Sequence, residues 1–423
     1  MIIKDALLRE KEGLWNIVIE NGEITEITKE FLPQNGVEVV DAKGNLVIPP
    51  FIEPHTHLDY ALTAGDPSWN ISGTLSEGLD ICKKRREKLS KHEIKERTRT
   101  ALKWLIANGV QYVRTHTNIS DQQLVGLQAM LEIKEEFANF LELQIVAFPQ
   151  QGIYTDSVML SRLEEALKEG ADIVGGAPHF EFTREDSVKS VKKIFELSQK
   201  YNCMIDIHCD ETDDDHSRAL EVVASEAYHM GIGHLVTASH TTAFGSYNNA
   251  YAFKLLDLAE KSRINFIANP LVNINLQGRY DSYPIRRGIT RVKELLAVGI
   301  NVCFGHDDLL DPIYPLGTGN MLQVLLMGVH VCHLTGYEQM RRSLDLITYN
   351  SAITLQIEDK YGIEVGNPAN LIILQATGDY DALRRQSPVL YSIRFGKVIA
   401  ENNMLQATLH LGNQAEKTSF SFN

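Results

Sequence analysis

The chain has 423 residues, 44% of them hydrophobic and 23% charged, as expected for a globular protein with one large domain and a satellite, or with two or three domains. Its formal net charge of −14 disfavours a nucleic-acid partner, because an acidic surface repels phosphate. The absence of any apolar run of about 18 residues excludes a membrane span, and a charged N-terminus with 5 scattered cysteines indicates a reduced, cytoplasmic protein.

Both ends of the chain have β character. In residues 1–48, the stretch "LWNIVIENGEITEI" alternates polar and apolar residues and breaks at Asn21-Gly22, a hairpin signal. After residue 362 similar runs return in "ANLIILQA", "VLYSIRFGKVIAEN" and "ATLHLG". We therefore predict a small β-sandwich domain formed by residues 1–48 and 363–423 together.

Residues 49–362 alternate apolar strand-like runs with amphipathic helical segments such as "SVKSVKKIFELSQKYN". After a first interval of 61 residues, the ends of these runs are 29 to 37 residues apart. The ends are His55, His116, Gln150, His179, His208, His240, Pro270 and Asp307. Eight even β-α units predict an α/β fold, a (β/α)8 TIM-type barrel, since an open doubly wound sheet accommodates them less naturally.

The stretch "PHTHLD" places His55 and His57 at alternate positions of the first strand. Such side chains point to the same face, so the pair either binds a metal ion or forms a hydrogen-bonded pair. His208, His240 and Asp307 end later strands, and a barrel brings all these ends to one mouth. Several histidines and a carboxylate at one mouth favour a metal site over packing.

The motifs "PHTHLD", "HCDE", "TASH" and "FGHDD" resemble the amidohydrolase superfamily. Longer strings, including "PPFIEPHTHLD", "SGTLSEG", "IVAFPQ" and "NPLVNINLQGR", resemble its cytosine deaminase branch. Binuclear members carry a lysine at the end of strand four, whereas this chain reads "GGAPHFEF" there. The resemblance therefore implies one divalent ion, Fe²⁺ or Zn²⁺, held by His55, His57, His208 and Asp307.

The resemblance also implies the catalytic roles. Glu211 would carry a proton to the ring nitrogen N3 as general acid and base, and His240 would orient the attacking water or take its proton. Asp307 would shuttle protons beside the metal ion, which lowers the pKa of water. The implied reaction is hydrolytic deamination of a free pyrimidine base, to uracil or thymine plus ammonia.

Substrate recognition is implied at four positions. The amide of Gln150 would bond the pyrimidine edge, and the backbone near Leu75 would add a contact. Asp308 would either line the pocket or serve as a partner for a histidine. Members restricted to cytosine have phenylalanine and tryptophan where this chain has Leu310 and Ile313, which predicts room for a 5-methyl group.

Three other readings remain open at this point. The chain could deaminate another cyclic amidine, such as isoguanine or creatinine, or hydrolyse a cyclic amide as hydantoinases do, although the missing lysine argues against the latter. It could also be a non-catalytic metal- or base-binding protein. For partners we expect a small free nucleobase, no nucleic acid, no membrane and a homo-oligomer.

Overall fold

The computed structural model describes residues 1–31, 36–86, 89–411 and 414–418. The N-terminal region forms five short strands, β1 (Ile2–Leu8), β2 (Leu14–Glu20), β3 (Glu23–Thr28), β4 (Val39–Asp41) and β5 (Leu46–Ile48). The predicted hairpin joins β2 to β3, with φ of 52° at Asn21 and 85° at Gly22. A two-residue hairpin turn needs positive φ at both positions, which Asn-Gly provides at little cost.

Eight parallel strands then form the predicted barrel, and each is hydrogen-bonded to the next in chain order. The strands are β6 (Phe51–Thr56), β7 (Val110–Asn118), β8 (Glu142–Phe148), β9 (Ile173–Gly176), β10 (Met204–Cys209), β11 (Val236–His240), β12 (Asn265–Ala268) and β13 (Val302–Phe304). Within the described residues, β6 meets the end of β13 through one parallel bridge, between Thr56 and Asp307. This seam lies at the carboxyl ends of the strands, where barrel active sites are found.

Helices alternate with the barrel strands, as the amphipathic segments predicted. They are α1 (Leu75–Arg86), α2 (Lys91–Ala107), α3 (Val125–Phe137), α4 (Met159–Glu169), α5 (Arg184–Tyr201), α6 (Ala219–Met230), α7 (Asn249–Ser262), α8 (Pro270–Leu276), α9 (Val292–Ala297), α10 (Met321–Val331), α11 (Tyr337–Met340), α12 (Tyr349–Leu355) and α13 (Asp379–Arg385). Helix α5 shows how local sequence sets the limits: the Thr183 hydroxyl accepts from the Asp186 N–H at 3.1 Å, and Asn202 ends the helix at φ 49°. Short 3-10 helices cover 178–180, 233–235, 242–246, 343–347 and 358–360.

The C-terminal strands form two sheets: the first three complete the sheet begun by the N-terminal strands, and the last two pair with each other. They are β14 (Leu371–Leu374), β15 (Val389–Arg394), β16 (Lys397–Glu401), β17 (Ala407–Leu411) and β18 (Gln414–Thr418). The main sheet runs β16-β15-β14-β5-β1-β2-β3, with β4 also beside β1, and a bridge from Glu23 to Pro368 brings β3 back towards β14. The sheet thus surrounds a core of its own, which includes Ile3, Ile17 and Ile373. The predicted barrel and the small β-sandwich domain from both chain ends are confirmed.

The limits of the two domains remain predictions. Between β5 and β6 only Pro49 and Pro50 intervene. The predicted segments 1–48, 49–362 and 363–423 include residues 32–35, 87–88, 412–413 and 419–423, which lie outside the described part of the chain. Among the helices that are described, none combines the length and the hydropathy needed to cross a bilayer.

Candidate active site

Four side chains predicted as metal ligands converge at the mouth of the barrel. One ligand atom from each of His55, His57, His208 and Asp307 lies within 4.8 Å of all the others, and all four residues are buried. The Nε2 atoms of His55 and His57 are each 3.4 Å from Oδ1 of Asp307. The Nε2 atom of His208 is 3.2 Å from that of His57. The sequence-distant strands β6, β10 and β13 therefore aim their ends at one point.

The chemistry of this cluster fits a divalent cation. Nε2 of His55 is buried without a hydrogen-bond partner, so it presents an uncompensated lone pair or N–H to the centre of the cluster. Burial and the neighbouring imidazoles hold the pKa of His208 well below its usual value, which keeps the ring neutral. Burial opposes ionisation of Asp307, yet the surrounding histidines hold its pKa well below the usual range. Neutral imidazoles and an ionised carboxylate are the forms that bind zinc or iron.

The other ring nitrogens of two ligands are held by neighbouring groups. Nδ1 of His55 lies 3.1 Å from the Ser239 hydroxyl, which donates to Asp206 at 2.7 Å. Nδ1 of His57 lies 3.1 Å from the backbone carbonyl of His116. A carbonyl can only accept, so His57 carries a proton on Nδ1, which leaves Nε2 as the ring nitrogen that can bind a metal ion. Such contacts orient a metal ligand before an ion binds.

Glu211 and His240 form a contact beside the ligand cluster. Oε1 of Glu211 is 3.2 Å from Nδ1 of His240, and Oδ2 of Asp307 is 3.8 Å from the same nitrogen. Burial raises the pKa of Glu211 well above its usual value and lowers that of His240 well below. The amides of Asn269 and Asn273 also reach His240, at 3.3 and 2.9 Å. This arrangement can hold a proton at Glu211 and pass it over a short distance.

A cavity with an empty volume of about 350 Å³ opens directly over these groups. Its lining residues are His57, Leu75, Leu79, Phe148, Gln150, Phe180, His208, Glu211, His240, Leu276, Asp307, Asp308 and Ile313. Every site residue predicted from the sequence lines this cavity except Leu310 and His55, and His55 lies in the ligand cluster beside it. Four other lining residues were not predicted from the sequence: Leu79, Phe148, Phe180 and Leu276. Spacing could have indicated only Leu79, one helical turn after Leu75 on α1.

The wall predicted to face the 5-position of a base is partly as expected. Ile313 lines the cavity, whereas Leu310 is not among its lining residues. Gly78 on α1 lets this wall approach closely, because a Cβ there would lie 3.0 Å from the Pro312 carbonyl and 3.2 Å from Cγ1 of Ile313. Helix α1 and the loop after β13 therefore meet at a glycine, which sets the position of Ile313.

Asp308 lies in the cavity wall beside a second carboxyl group. Its Oδ1 is buried without a hydrogen-bond partner, and burial together with the neighbouring Asp311 raises its pKa well above the usual value. Asp311 accepts from the backbone N–H groups of Ile313 and Tyr314 at 2.8 and 2.9 Å. The two carboxyl groups belong to one short loop, which carries both a polar and an apolar part of the cavity wall.

A family model described as the amidohydrolase family, Amidohydro_3, matches residues 38–406. Among curated proteins, N-isopropylammelide isopropyl amidohydrolase from Pseudomonas sp. (strain ADP) is 28% identical over 413 residues, which cover 96% of this chain and 98% of that protein.

Two solved structures of 5-methylcytosine deaminase from Klebsiella pneumoniae superpose on the chain with a TM-score of 0.93. One is liganded with 5-fluorocytosine, is 48% identical, and the match covers 95% of this chain and 98% of that one. The other is liganded with phosphonocytosine and is 47% identical, and the match covers 98% of this chain and 100% of that one.

Proposed function

Because this chain belongs to the amidohydrolase family, whose members use a metal ion, we propose that it deaminates a free pyrimidine base by hydrolysis. The substrates are cytosine and 5-methylcytosine, and the products are uracil and thymine with ammonia. One observation carries the proposal. The proton-transfer pair Glu211 and His240, the four-ligand cluster and Gln150 meet in one cavity of a chain 48% identical to a solved 5-methylcytosine deaminase.

His55, His57, His208 and Asp307 would hold one divalent ion, Fe²⁺ or Zn²⁺. The ion, when bound, supplies Lewis acidity that makes water a better nucleophile at neutral pH. The strand-four end, "GGAPHFEF", offers no lysine to bridge a second ion. Elemental analysis of protein grown with defined iron and zinc should find one equivalent per chain, and two tightly bound equivalents would contradict this assignment.

The side chains of the cavity divide the proton transfers between them. Water adds to C4 of the base while Glu211 delivers its proton to N3. Burial raises the pKa of Glu211, which favours the protonated form that this step needs. His240, in contact with both Glu211 and Asp307, takes the proton that the water loses. The amino group then takes that proton from His240, and the new C4 hydroxyl gives its proton to Glu211. Cleavage of the C4–N bond releases ammonia and leaves a carbonyl at C4, so one water is consumed for each ammonia formed and both side chains return to their starting states.

Recognition of the base rests on the rest of the cavity. Gln150 reads the edge of the ring that carries N1 and O2, and the backbone at Leu75 adds a contact from the start of α1. Asp308 faces the base with its unpartnered oxygen. Ile313 stands against the 5-position. A homo-oligomeric state and a cytoplasmic location remain predictions.

An ammonia-release assay on a panel of free bases tests the proposal. We expect turnover of cytosine and 5-methylcytosine with similar kcat/KM, and little or none of isoguanine or creatinine. Burying one methyl group stabilises a complex by about 0.8 kcal/mol, and a misfit changes discrimination by roughly 1–3 kcal/mol. If ammonia is released only from isoguanine or creatinine, that compound replaces the proposed substrate. If no compound of the panel releases ammonia, the chain is a binding protein.

Ile313→Trp tests the assigned wall. The larger ring should depress kcat/KM for 5-methylcytosine about 10- to 100-fold more than for cytosine, since it fills the space of the methyl group. Leu316→Trp is the matched control, because Leu316 belongs to the same loop but is 61% exposed. If the parent enzyme rejects 5-methylcytosine by roughly a thousandfold, more than a methyl misfit costs, the wall assignment is wrong.

A further inference from the structure

We propose that Asn118 is a positioning residue that sets which way the amide of Gln150 faces, and thereby makes the enzyme selective for bases with a 2-oxo group. This inference rests on the proposed function and deepens it. Asn118 ends β7, next to the strand that leads to Gln150, and neither the sequence motifs nor the cavity lining single it out. The inference depends on the direction of three hydrogen bonds.

The orientation of the Asn118 amide is determined by the backbone. The Ser120 N–H donates to Oδ1 of Asn118 at 2.8 Å, and a backbone N–H can act only as a donor. The nitrogen of the same amide, Nδ2, must therefore face the other way. The Asn118 N–H also donates to Oδ2 of Asp59 at 3.0 Å, which holds the residue in place.

The nitrogen of Asn118 in turn orients Gln150. Nδ2 donates to the Tyr60 hydroxyl at 3.1 Å and to Oε1 of Gln150. Because Asn118 presents only N–H bonds on this side, the atom of Gln150 that faces it must be the oxygen. In the described part of the chain, no group accepts a hydrogen bond from Nε2 of Gln150. Gln150 is only 6% exposed and lines the cavity, so its free N–H bonds are available to a ligand there.

The chemistry of the ligand follows from this orientation. A free amino group beside a fixed carbonyl oxygen complements a ring edge that has a carbonyl beside an N–H, as N1–H and C2=O of cytosine provide. A base with a 2-amino group and an unprotonated N1 has the opposite pattern, so donor would face donor and acceptor would face acceptor. A buried polar group left unpaired in this way costs roughly 10- to 100-fold in binding. Asn118 therefore excludes 2-amino pyrimidines through Gln150.

Asn118→Asp tests the inference directly. The carboxylate still accepts from Ser120 N–H, but its second oxygen cannot donate, so Gln150 must turn its amino group towards residue 118. We expect kcat/KM for cytosine to fall about 10- to 100-fold. The ratio of kcat/KM for cytosine to kcat/KM for 2,4-diaminopyrimidine should also fall, by at least tenfold. If the role of Asn118 were purely structural, kcat/KM would fall equally for both bases and this ratio would not change.

Gln150→Glu is the second variant, and it remains informative if Asn118→Asp does not fold. Asn118 still donates to one carboxylate oxygen, so an acceptor replaces the donor that faced the base, and the preference should shift in the same direction. Asn265→Asp is the matched control, because Asn265 is equally buried but begins β12 at the opposite end of the barrel.

The outcomes separate the inference from the proposed function. If the parent enzyme releases ammonia from cytosine and neither variant changes the ratio of the two bases, the positioning role is wrong and the proposed function stands. If the parent enzyme deaminates no pyrimidine, the proposed function fails and the inference fails with it. A shift in the ratio by both variants, with none in Asn265→Asp, supports the inference.

Discussion

Glu211 and His240 are buried side chains in the wall of the cavity, and burial shifts their pKa values in opposite directions. It favours the neutral carboxylic acid and the neutral imidazole, so the pair can exchange a proton without a charged starting state. The backbone adds a cost at the same place, since His240 and Asp307 have φ of 65° and 70°. Left-handed conformations at residues other than glycine cost about 1–3 kcal/mol each and are typical of functional sites.

Glu211→Gln should retain the ligand cluster and the cavity but lose the transferable proton. We expect kcat to fall by roughly 10²- to 10⁴-fold, the usual contribution of a general acid-base group, with little change in bound metal. Steady-state kinetics and elemental analysis of the same preparation measure both quantities. Glu338→Gln, at a side chain 72% exposed, serves as the control. A variant with near-normal kcat and full metal content would assign the proton transfer to another residue.

Three of the four proposed metal ligands, His55, His57 and Asp307, lie at the ends of β6 and β13, which are the two edge strands of the barrel sheet. Their seam has a single bridge in the described residues, and the side chain of Glu53 reinforces it. Oε1 of Glu53 accepts from the N–H of His55 at 3.1 Å and from the N–H of His306 at 3.0 Å. Burial raises the pKa of Glu53 well above its usual value, which favours the neutral acid, and its oxygen joins the two strands through these two hydrogen bonds.

Glu53→Met should therefore weaken both the seam and the metal site. Two buried N–H groups would lose their acceptor, which costs about 2–5 kcal/mol in the free energy of unfolding. Glu53→Gln should be close to the parent, because an amide oxygen can accept from the same two groups. Thermal unfolding and the metal retained after dialysis against a chelator are the measurements. Equal values for Glu53→Met and the parent in both would show that the seam does not need this side chain.

At the scale of the whole molecule, Arg9 connects the small β domain to the barrel. Its guanidinium lies 2.7 Å from Asp345 in the 3-10 helix 343–347 and 2.9 Å from Asp379 at the start of α13. Burial raises the pKa of Asp379 to about 6, and Arg9 acts against that rise. Removing the cation would leave two nearby carboxylates without their shared partner.

Arg9→Met should lower the free energy of unfolding by about 1–3 kcal/mol, since a partly buried ion pair loses one member. A carboxyl whose pKa is raised on folding contributes most to stability below its unfolded pKa of 3.8, and this contribution is lost as pH rises through about 6. Without Arg9 the folded pKa of Asp379 rises further, so the destabilisation should be larger at pH 8 than at pH 5. Thermal unfolding at the two pH values tests this.

Arg341→Met provides the comparison for this prediction. It removes an exposed pair with Glu338, three residues apart on the surface, and should change stability by less than about 0.5 kcal/mol at either pH. An Arg9→Met variant that matches Arg341→Met at both pH values would show that the contact does not stabilise the two domains.

Sequence alone determined the barrel and the place of its chemistry. A β-α period repeats along the chain, and seven of the eight predicted strand ends are polar residues, so hydrophobic patterning is enough to place those ends at one mouth. The convergence of His55 with His57 also follows from strand geometry, because alternate residues share a face. The missing lysine on strand four and the motif from His208 to Glu211 were likewise visible without coordinates. What they mean for the metal site and for proton transfer came from the family resemblance.

Only the tertiary structure decided which distant groups complete the site. No role was predicted from the sequence for Asn118, Glu53 or Asn273, because their effect depends on the register between strands and on the direction of individual hydrogen bonds. The apolar lining, such as Phe148 stacked 4.0 Å from His208, likewise joins separate β-α units. Hydrophobic periodicity predicts which face of a helix or strand is buried, but it does not predict which residues of other elements that face contacts. That pairing arises when the sheet closes into a barrel, where one residue of displacement would turn each side chain to the other face.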